Sequence, residues 1–356
     1  MTYLLNEFMR IRLEDPLQCD LLLEGKTYGL PDVRCLPVLA SVSEPTSREE
    51  LVARFRKALG ADERSIEHLV TRMIDTRIFR PSDSEHELMP QVGVWQKYGW
   101  TDALVYHLMA DRQIYSDVVG SPAPADSEEV LRARIAERRP PAFWKTLDVP
   151  YQPLPAPAEP ADRDLADVLL SRRSHRPWTK QRMTAAQLSR VLTDVNVPLV
   201  TQRRAAEANF EKTPSALMHN SFGDVETSVI VYDVEGLEPG IYHYDPDGHG
   251  LGLIRSGDLR DEVQTAFVGQ SRASSGSCSL LLSVVWERHL YRYVNNPHGY
   301  RSMMECLGQF AQRYLLAWTS LGFETFPTPA HYAALTDSLI GTKRFEETGI
   351  YLLTAG

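Results

Sequence analysis

Two arginines and a serine alternate in the segment RRSHRPW, residues 172–178. Arg172, Ser174 and Arg176 stand where a helical pattern ends. Arginine supplies a planar fork of donors and serine a neutral donor, a set that suits a phosphate beside a polarisable ring edge. A basic helix end that only faces water explains the segment equally well, because cations are favoured at a helix C-terminus.

Two further segments carry weaker signals. TPSALMHN, residues 213–220, precedes a predicted strand; Pro214 fixes a turn, and Ser215 and Asn220 could hydrogen-bond a ligand. An ordinary loop is the simpler interpretation. GFETF follows a long predicted helix, where Gly322 is the expected residue just past the helix end. Alone, neither segment predicts a site.

The composition bounds the class of protein. The chain has 356 residues, of which 43% are hydrophobic and 24% charged, so we expect a soluble protein of two domains. No apolar run approaches the roughly 20 residues that span a bilayer. The first residues lack the features of a signal peptide, which predicts a cytoplasmic location.

The charge and the cysteines exclude two more classes. The net charge of −9 argues against binding a nucleic-acid backbone, which needs clustered Lys and Arg. The four cysteines have neither a CxxC pair nor a histidine at zinc-ligand spacing, so we expect reduced, mostly buried thiols and no metal. They are Cys19, Cys35, Cys278 and Cys306.

One change in composition divides the chain. PYQPLPAPAEP holds five prolines in eleven residues, which excludes a helix or a central strand and predicts an extended linker. The predicted organisation is a winged-helix-like peptide-docking domain (1–90), a helical connector (91–149), the Pro-rich linker (150–161) and the main domain (162–356).

The first of these domains has two amphipathic helix patterns with flanking strands, which resembles a winged helix. Its second helix carries three arginines but also Glu67 and Asp75. Peptide docking is therefore favoured over DNA binding, and a purely structural role stays open. In the connector, residues 95–117 predict one aromatic-rich helix; Tyr106 and His107 either line a pocket or pack on the main domain.

The main domain alternates helical and strand patterns. A helix from 162 should bury Leu165, Val168 and Leu169, and an apolar helix over 300–321 should lie centrally. Strands are predicted at SVIVYDV, SCSLLLSVVW and GIYLLTAG. The fold class is α+β, with layered helices around a mostly antiparallel sheet.

Taken together, these motifs resemble the nitroreductase-like flavoproteins. The closer resemblance is to their SagB-type branch, the dehydrogenases of azole-containing ribosomal peptides. ETSVIVYDVEGLEPGIYHYDP is similar to that branch's strand–turn–strand segment, and YRSMMECLGQFAQRYLLAWTSLGFET is similar to its long helix. The resemblance covers 162–356 well and 16–117 more weakly.

The resemblance implies FMN, hydride transfer and a homodimer with active sites at its interface. It implies that Arg172, Ser174 and Arg176 hold the FMN phosphate, ribityl chain or ring edge. The other implied cofactor-binding residues line the ring or offer backbone groups: Pro214, Ser215, Ala216, Gly322, Glu324, Thr325 and, more weakly, Arg344 or Lys343.

One departure from the branch bears on catalysis. Its usual Lys-Tyr pair falls on Arg292 and Tyr293, so the lysine has become arginine. Azoline oxidation removes one proton and one hydride and needs a base. Arginine stays charged and cannot be that base, whereas Tyr293, with a reference pKa of about 10, could serve if Arg292 lowered it. Tyr293 and Arg292 are therefore the candidate catalytic residues.

The sequence thus predicts an FMN-dependent oxidoreductase of ribosomal peptide biosynthesis that dehydrogenates peptide azolines to azoles. The alternatives are an NAD(P)H-dependent flavin reductase acting on an activated C=C or nitro group, and a flavin-fold scaffold that binds a peptide. The expected partners are a precursor peptide, a second copy of the chain and neighbouring biosynthetic enzymes, with no nucleic acid or membrane.

Overall fold

A computed structural model describes residues 1–111, 127–179 and 181–356. The chain divides into two compact units, Met1–Gln113 and Ile114–Gly356. The boundary thus falls in the stretch 112–126 that the structure does not describe, which also contains the end of the helix predicted over 95–117. The Pro-rich segment, where the sequence analysis placed the main boundary, lies inside the second unit.

The first unit contains six strands and five helices among its described residues. They are β1 (Thr2–Leu5), β2 (Met9–Arg12), β3 (Gln18–Leu21), β4 (Lys26–Gly29), α1 (Cys35–Ala40), β5 (Thr46–Ser47), α2 (Arg48–Leu59), α3 (Glu63–Asp75), β6 (Phe79–Pro81), α4 (Met89–Lys97) and α5 (Thr101–Ala110). One antiparallel sheet has the order β5-β1-β6 and another the order β2-β3-β4. The succession α1, β5, α2, α3, β6 lies within this unit, and its winged-helix-like, peptide-docking character stays a prediction.

Capping residues define the ends of the two central helices of this unit, α2 and α3. The Ser47 side chain accepts the Glu50 amide at the start of α2, and Gly60, with φ +65°, ends that helix. Asp62 accepts the Ser65 amide at the start of α3. Their buried faces join a single core cluster, in which Phe55 lies edge-on to Phe79.

The helix predicted over 95–117 is in fact broken. Gly99 has φ +72°, a conformation that suits glycine and ends α4 before α5 begins. His107 stacks on Trp95 with ring centroids 5.6 Å apart, so this histidine packs on α4 of its own unit.

The second unit is built on a seven-stranded antiparallel sheet of order β14-β15-β13-β9-β11-β12-β7. The elements of this unit are α6 (Glu128–Glu137), β7 (Tyr151–Pro153), α7 (Leu165–Ser171), β8 (Met183–Thr184), α8 (Ala185–Asn209), β9 (Val225–Val231), β10 (Val234–Glu235), β11 (Gly240–Asp245), β12 (Gly250–Ser256), α9 (Arg260–Ala266), β13 (Cys278–Val285), α10 (Trp286–Arg292), α11 (His298–Ser320), β14 (Thr325–Thr328), α12 (Ala333–Ile340) and β15 (Glu347–Ala355).

The sheet is covered on both faces, which explains why its central strands are continuous apolar runs. Helices α8 and α11 share one core cluster with the sheet, and α9 and α12 share another. The strand β9 is buried at every position. The predicted α+β class, with helices layered on an antiparallel sheet and a long central helix, is confirmed.

Three predictions for this unit need correction. Leu165 and Leu169 of α7 are exposed and only Val168 is buried, because α7 touches α11 by one narrow face. The long helix α11 is not apolar around most of its circumference, since Glu305, Gln309 and their neighbours form an exposed polar side.

The third correction concerns the Pro-rich segment, which the sequence analysis interpreted as an extended linker. Tyr151–Pro153 forms the strand β7, which pairs with β12 at the edge of the sheet, where Pro153 is tolerated. Within the described residues, no helix is long and apolar enough to cross a bilayer.

Candidate functional site

The positions of the predicted site residues are described relative to the two ends of strand β13. Cys278 at its start pairs with Ala355, and Val285 at its end pairs with Glu347. Eight residues of extended chain separate these ends by about 24 Å, since a strand rises about 3.4 Å per residue. We call the two ends of the sheet the Cys278 end and the Val285 end.

Glu324 and Thr325 lie at the Cys278 end. The Thr325 register partner is Ala355, and the Glu324 amide donates to the Gly356 carbonyl at 3.1 Å. Gly322, with φ +90°, makes the turn from α11 into this strand. Arg176 reaches the same place, since its guanidinium lies 3.6 Å from the Glu324 carboxylate.

Arg172 and Ser174 stand just before Arg176. Arg172 caps the end of α7, and its Nη1 donates to the Ser174 hydroxyl at 3.2 Å. In the part of the chain that the structure describes, Arg172 has no carboxylate within salt-bridge distance. Burial raises the pKa of Tyr351, and the nearby positive charge of Arg172 partly offsets this shift. A cation held only by a hydroxyl can accept an anionic ligand.

An arginine that the sequence analysis missed joins this group. The Arg272 guanidinium lies 3.9 Å from the Trp178 ring centroid and 5.6 Å from that of Phe326. Burial lowers the pKa of Arg272, while Glu324 acts in the opposite direction. Trp178 belonged to the RRSHRPW signal, but no local pattern around Arg272 could have linked it to that segment.

The Pro214 segment lies at the other end of the sheet. Pro214–Leu217 is a 3-10 turn on the chain that leads from α8 to Val225, whose neighbour in β13 is Val284. The Ser215 amide donates to Glu128 of α6 at 3.0 Å. The Ser215 hydroxyl and amide together lower the pKa of the exposed Glu128 carboxyl.

Arg292 and Tyr293 also lie at the Val285 end, but not in the loop that the sequence predicted. The helix α10 follows β13 directly, and Tyr293 is its C-terminal cap. Arg292 is only 5% exposed and forms an ion pair with Asp224. Burial alone would raise the pKa of Asp224, but Arg292 and His289 outweigh it and hold that pKa below its ordinary value. The charge of Arg292 is therefore compensated.

His289 is the second residue that the sequence analysis missed. Its Nδ1 lies 2.8 Å from the Asp224 carboxylate and its Nε2 lies 2.7 Å from the Gly299 carbonyl. Both partners are hydrogen-bond acceptors, so the ring is held from both sides. The centroids of the His289 and Tyr293 rings are 4.7 Å apart, which places the histidine against the tyrosine.

A buried ionic cluster fixes this end of the sheet. Glu226 accepts from Arg203, Arg288 and His243. Burial would raise the pKa of Glu226, but the two arginines and the histidine outweigh it and hold that pKa well below its usual range. Since Asp224 and Glu226 stand at the start of β9, the strand anchors α8 and α10 through charge pairs.

Arg344 lies in the exposed turn before β15, again at the Val285 end. The predicted residues therefore form two groups. The Cys278 group contains Arg172, Ser174, Arg176, Gly322, Glu324 and Thr325; the Val285 group contains Pro214, Ser215, Ala216, Arg292, Tyr293 and Arg344. Within one protomer Arg176 and Glu324 of the first group lie at the Cys278 end and the second group lies at the Val285 end, while the charge of Arg172 reaches Tyr351, whose partner in β13 is Leu282.

Comparison with known proteins gives three findings. Residues 169–356 match the sequence model of the nitroreductase family. The trifolitoxin operon protein TfxC of Rhizobium leguminosarum bv. trifolii is 26% identical over 99% of both chains. A Methanocaldococcus jannaschii protein described as a nitroreductase, MJ1384, is 30% identical over 47% of this chain and 79% of its own.

Among solved structures, the E. coli microcin synthetase McbBCD complex with truncated pro-MccB17 bound is 14% identical to the chain. The match covers 77% of this chain and 98% of that one, with a TM-score of 0.39.

Proposed function

Because the chain belongs to the nitroreductase family, as its motifs predicted, we propose that it is an FMN-dependent oxidoreductase that dehydrogenates azoline rings in a peptide. The family match contains every residue of the Cys278 and Val285 groups. The full-length similarity to a trifolitoxin operon protein supports a role in the biosynthesis of a natural product. The SagB-type motifs support a ribosomal peptide as the substrate.

The observation that carries the proposal is the division of the site into two groups. Among the residues that the structure describes, no hydrogen bond or ion pair joins the two groups, so we infer that a complete site combines the Cys278 group of one copy with the Val285 group of another. Three leucines of α7 support such a contact, because they are exposed directly beside Arg172: Leu165 by 65%, Leu169 by 51% and Leu170 by 71%. We therefore propose a homodimer with two composite sites.

The Cys278 group fits FMN. Arg172 and Ser174 can offer a phosphate a positive charge and hydrogen-bond donors, because no carboxylate is paired with Arg172. The buried Thr325 hydroxyl has no hydrogen-bond partner. Arg272 adds positive charge behind Trp178. When bound, FMN supplies the acceptor for the hydride that an azoline loses.

We assign the removal of the proton to the Val285 group. Arg292 keeps its proton, so it holds Asp224 and the end of α10 in place. Tyr293 would accept the proton through its phenolate oxygen, and the His289 ring packs against the tyrosine ring and holds it in place. One ring carbon of the azoline would lose its proton to Tyr293 while the adjacent ring carbon loses its hydride to the acceptor, which leaves the aromatic azole.

A second candidate has one specific observation in its favour. The similarity to MJ1384 covers 47% of this chain and comes from a protein described as a nitroreductase. An NAD(P)H-dependent reductase would use the same Cys278 group but would have no need of a proton acceptor at Tyr293.

Mass spectrometry distinguishes the two functions. The purified flavin-loaded protein is incubated with an azoline peptide in air, and dehydrogenation lowers the peptide mass by about 2 Da, the two hydrogens lost. Tyr293→Phe should retain flavin and lose about 10²- to 10⁴-fold in rate, as expected when a general base is removed. NADPH consumption with a nitro or C=C substrate, and no change in the azoline peptide, would instead identify a reductase.

A further inference from the structure

A cavity of about 1200 Å³ opens beside α10 at the Val285 end of the sheet. Four segments line it: α6, the strap 141–147, α10 with its flanks, and the turn 340–347. Tyr291 and Val294, which flank Arg292 and Tyr293 in the chain, are among its lining residues. Arg292 and Tyr293 are not among them, so the cavity lies along the helix that carries the proposed proton acceptor without being lined by it. Its volume exceeds the usual 300–1000 Å³ of a small-ligand pocket.

Hydrogen bonds and ion pairs hold the walls in place. Arg288 Nε donates to the Ala142 carbonyl at 2.7 Å, and Lys145 pairs with Glu347 at 2.6 Å. Arg134 of α6 donates to the Tyr291 carbonyl at 2.8 Å. The strap and α6 are therefore fixed to α10 and β15, and the cavity is already formed without a ligand.

The charges of the wall are balanced within the protein. Arg138 pairs with Glu287, Lys145 with Glu347 and Lys343 with Glu346, and all six line the cavity. Arg288 is bound to the buried Glu226. The pairs at the exposed rim are individually weak. The two other charged residues of the wall are Arg134, whose guanidinium donates to the Tyr291 and Arg292 carbonyls, and Glu137. Cations and carboxylates are thus equal in number when Glu226 is included, which disfavours the diphosphate of a nicotinamide dinucleotide.

What the wall does offer is apolar surface. Trp144, Leu147 and Tyr291 line the cavity, and Leu290, Val294 and Phe345 are exposed at its mouth, Phe345 by 89%. A surface of this kind, with balanced charge around it, suits an uncharged segment that carries apolar side chains or rings.

Half of the wall lies outside the region that the chain shares with its family. The helix α6 and the strap 141–147 both precede residue 169, where the nitroreductase match begins. The cavity is thus made by adding two segments of this chain to the family's α10 and β15 region.

We propose that this cavity binds an uncharged, apolar or ring-bearing segment of the peptide substrate next to α10, and that it does not bind a dinucleotide. The proposal rests on the proposed function in one respect, the identity of the substrate as an azoline peptide. It assigns substrate binding to α6 and the strap, to which no role has been given so far.

Two alanines on α6 provide a matched test in the full-length, flavin-loaded protein. Ala133 lines the cavity, whereas Ala136 on the same helix is exposed and does not. Ala133→Trp should fill the cavity and weaken binding of a labelled, uncharged thiazoline peptide by roughly 10- to 100-fold, the range expected from overpacking. Ala136→Trp should bind the peptide as the wild type does, and both variants should retain the wild-type flavin content and melting temperature.

Competition then identifies the ligand class. NADPH should not displace the labelled peptide, and replacing two residues of the peptide by aspartate or by lysine should weaken its binding. If Ala133→Trp binds the peptide normally, or if NADPH displaces it, the cavity is not a peptide site. Peptide binding that Ala133→Trp blocks, without any loss of 2 Da from the peptide, would leave the cavity assignment standing and overturn the proposed reaction.

Discussion

Composite sites make a quantitative prediction for mixed dimers. The Arg172→Ala, Arg176→Ala chain lacks the charged part of its Cys278 group, and the Tyr293→Phe chain lacks the functional part of its Val285 group. Each homodimer should therefore be nearly inactive. In a mixed dimer, one site receives the intact Cys278 group of the tyrosine variant and the intact Val285 group of the arginine variant.

The expected recovery follows from the separation of the groups. The two ends of β13 that mark the groups are about 24 Å apart, so in the proposed arrangement neither variant chain repairs its own site. A doubly tagged, purified heterodimer should have about half of the wild-type activity per dimer, because one of its two sites is intact. An unselected mixture that exchanges subunits freely should have about one quarter, since half of its dimers are mixed.

The assay is conversion of the azoline peptide, with flavin content measured on the same sample. The heterodimer should also contain about one FMN per dimer, because only the tyrosine variant keeps its phosphate-binding arginines. Introducing Leu169→Asp and Leu170→Asp into both chains should abolish recovery by disrupting the exposed face of α7. A stable heterodimer without activity would refute the composite site, and so would full activity in either homodimer.

Three further results are expected. Arg172→Ala with Arg176→Ala should purify without the flavin absorbance, since each charge-assisted phosphate contact contributes about 1.5–3 kcal/mol, whereas Arg173→Ala between them should stay yellow. Glu226→Gln should lower the free energy of unfolding at pH 7 by about 3–5 kcal/mol in urea titrations, because it leaves Arg203 and Arg288 buried without their anion. The pKa of Glu226 is depressed in the folded protein, so this difference should persist at neutral pH and shrink as the pH falls through that low folded value; a difference that grew in acid would contradict the assignment. Deleting residues 1–90 should weaken binding of a full-length precursor peptide more than turnover of a short core peptide, and equal losses would argue against a docking role.

Much of the Cys278 group could be predicted because its signals are local. Arg172, Ser174 and Arg176 are adjacent in sequence, and a glycine after the long helix marks the turn that leads to Glu324. The central strands were equally visible, since burial on both faces makes SVIVYDV and SCSLLLSVVW continuous apolar runs. Local spacing and burial pattern are enough to find features of this kind.

The Val285 group was harder because its chemistry depends on pairs distant in the chain. Asp224 meets Arg292 and His289 only after β9 and β13 adopt their register, which no local pattern encodes. The exposure of Leu169 escaped the helical pattern for a related reason. An apolar stripe indicates that a surface will be covered, but it does not say whether the cover is the same chain or another.

The arginine at position 292 bears on the reaction in a different way from the one its sequence suggested. From sequence it was a lost base that was expected to tune its neighbour, yet its charge is taken up by Asp224 inside the protein. The group beside Tyr293 is instead His289, which shares the Asp224 carboxylate with Arg292 and meets the Gly299 carbonyl at its other ring nitrogen. Under the proposed function the work of a base therefore passes to Tyr293, because arginine cannot act as one. Arg292 instead ties the end of α10 to the start of β9 through the ion pair of its Nη2 with Asp224.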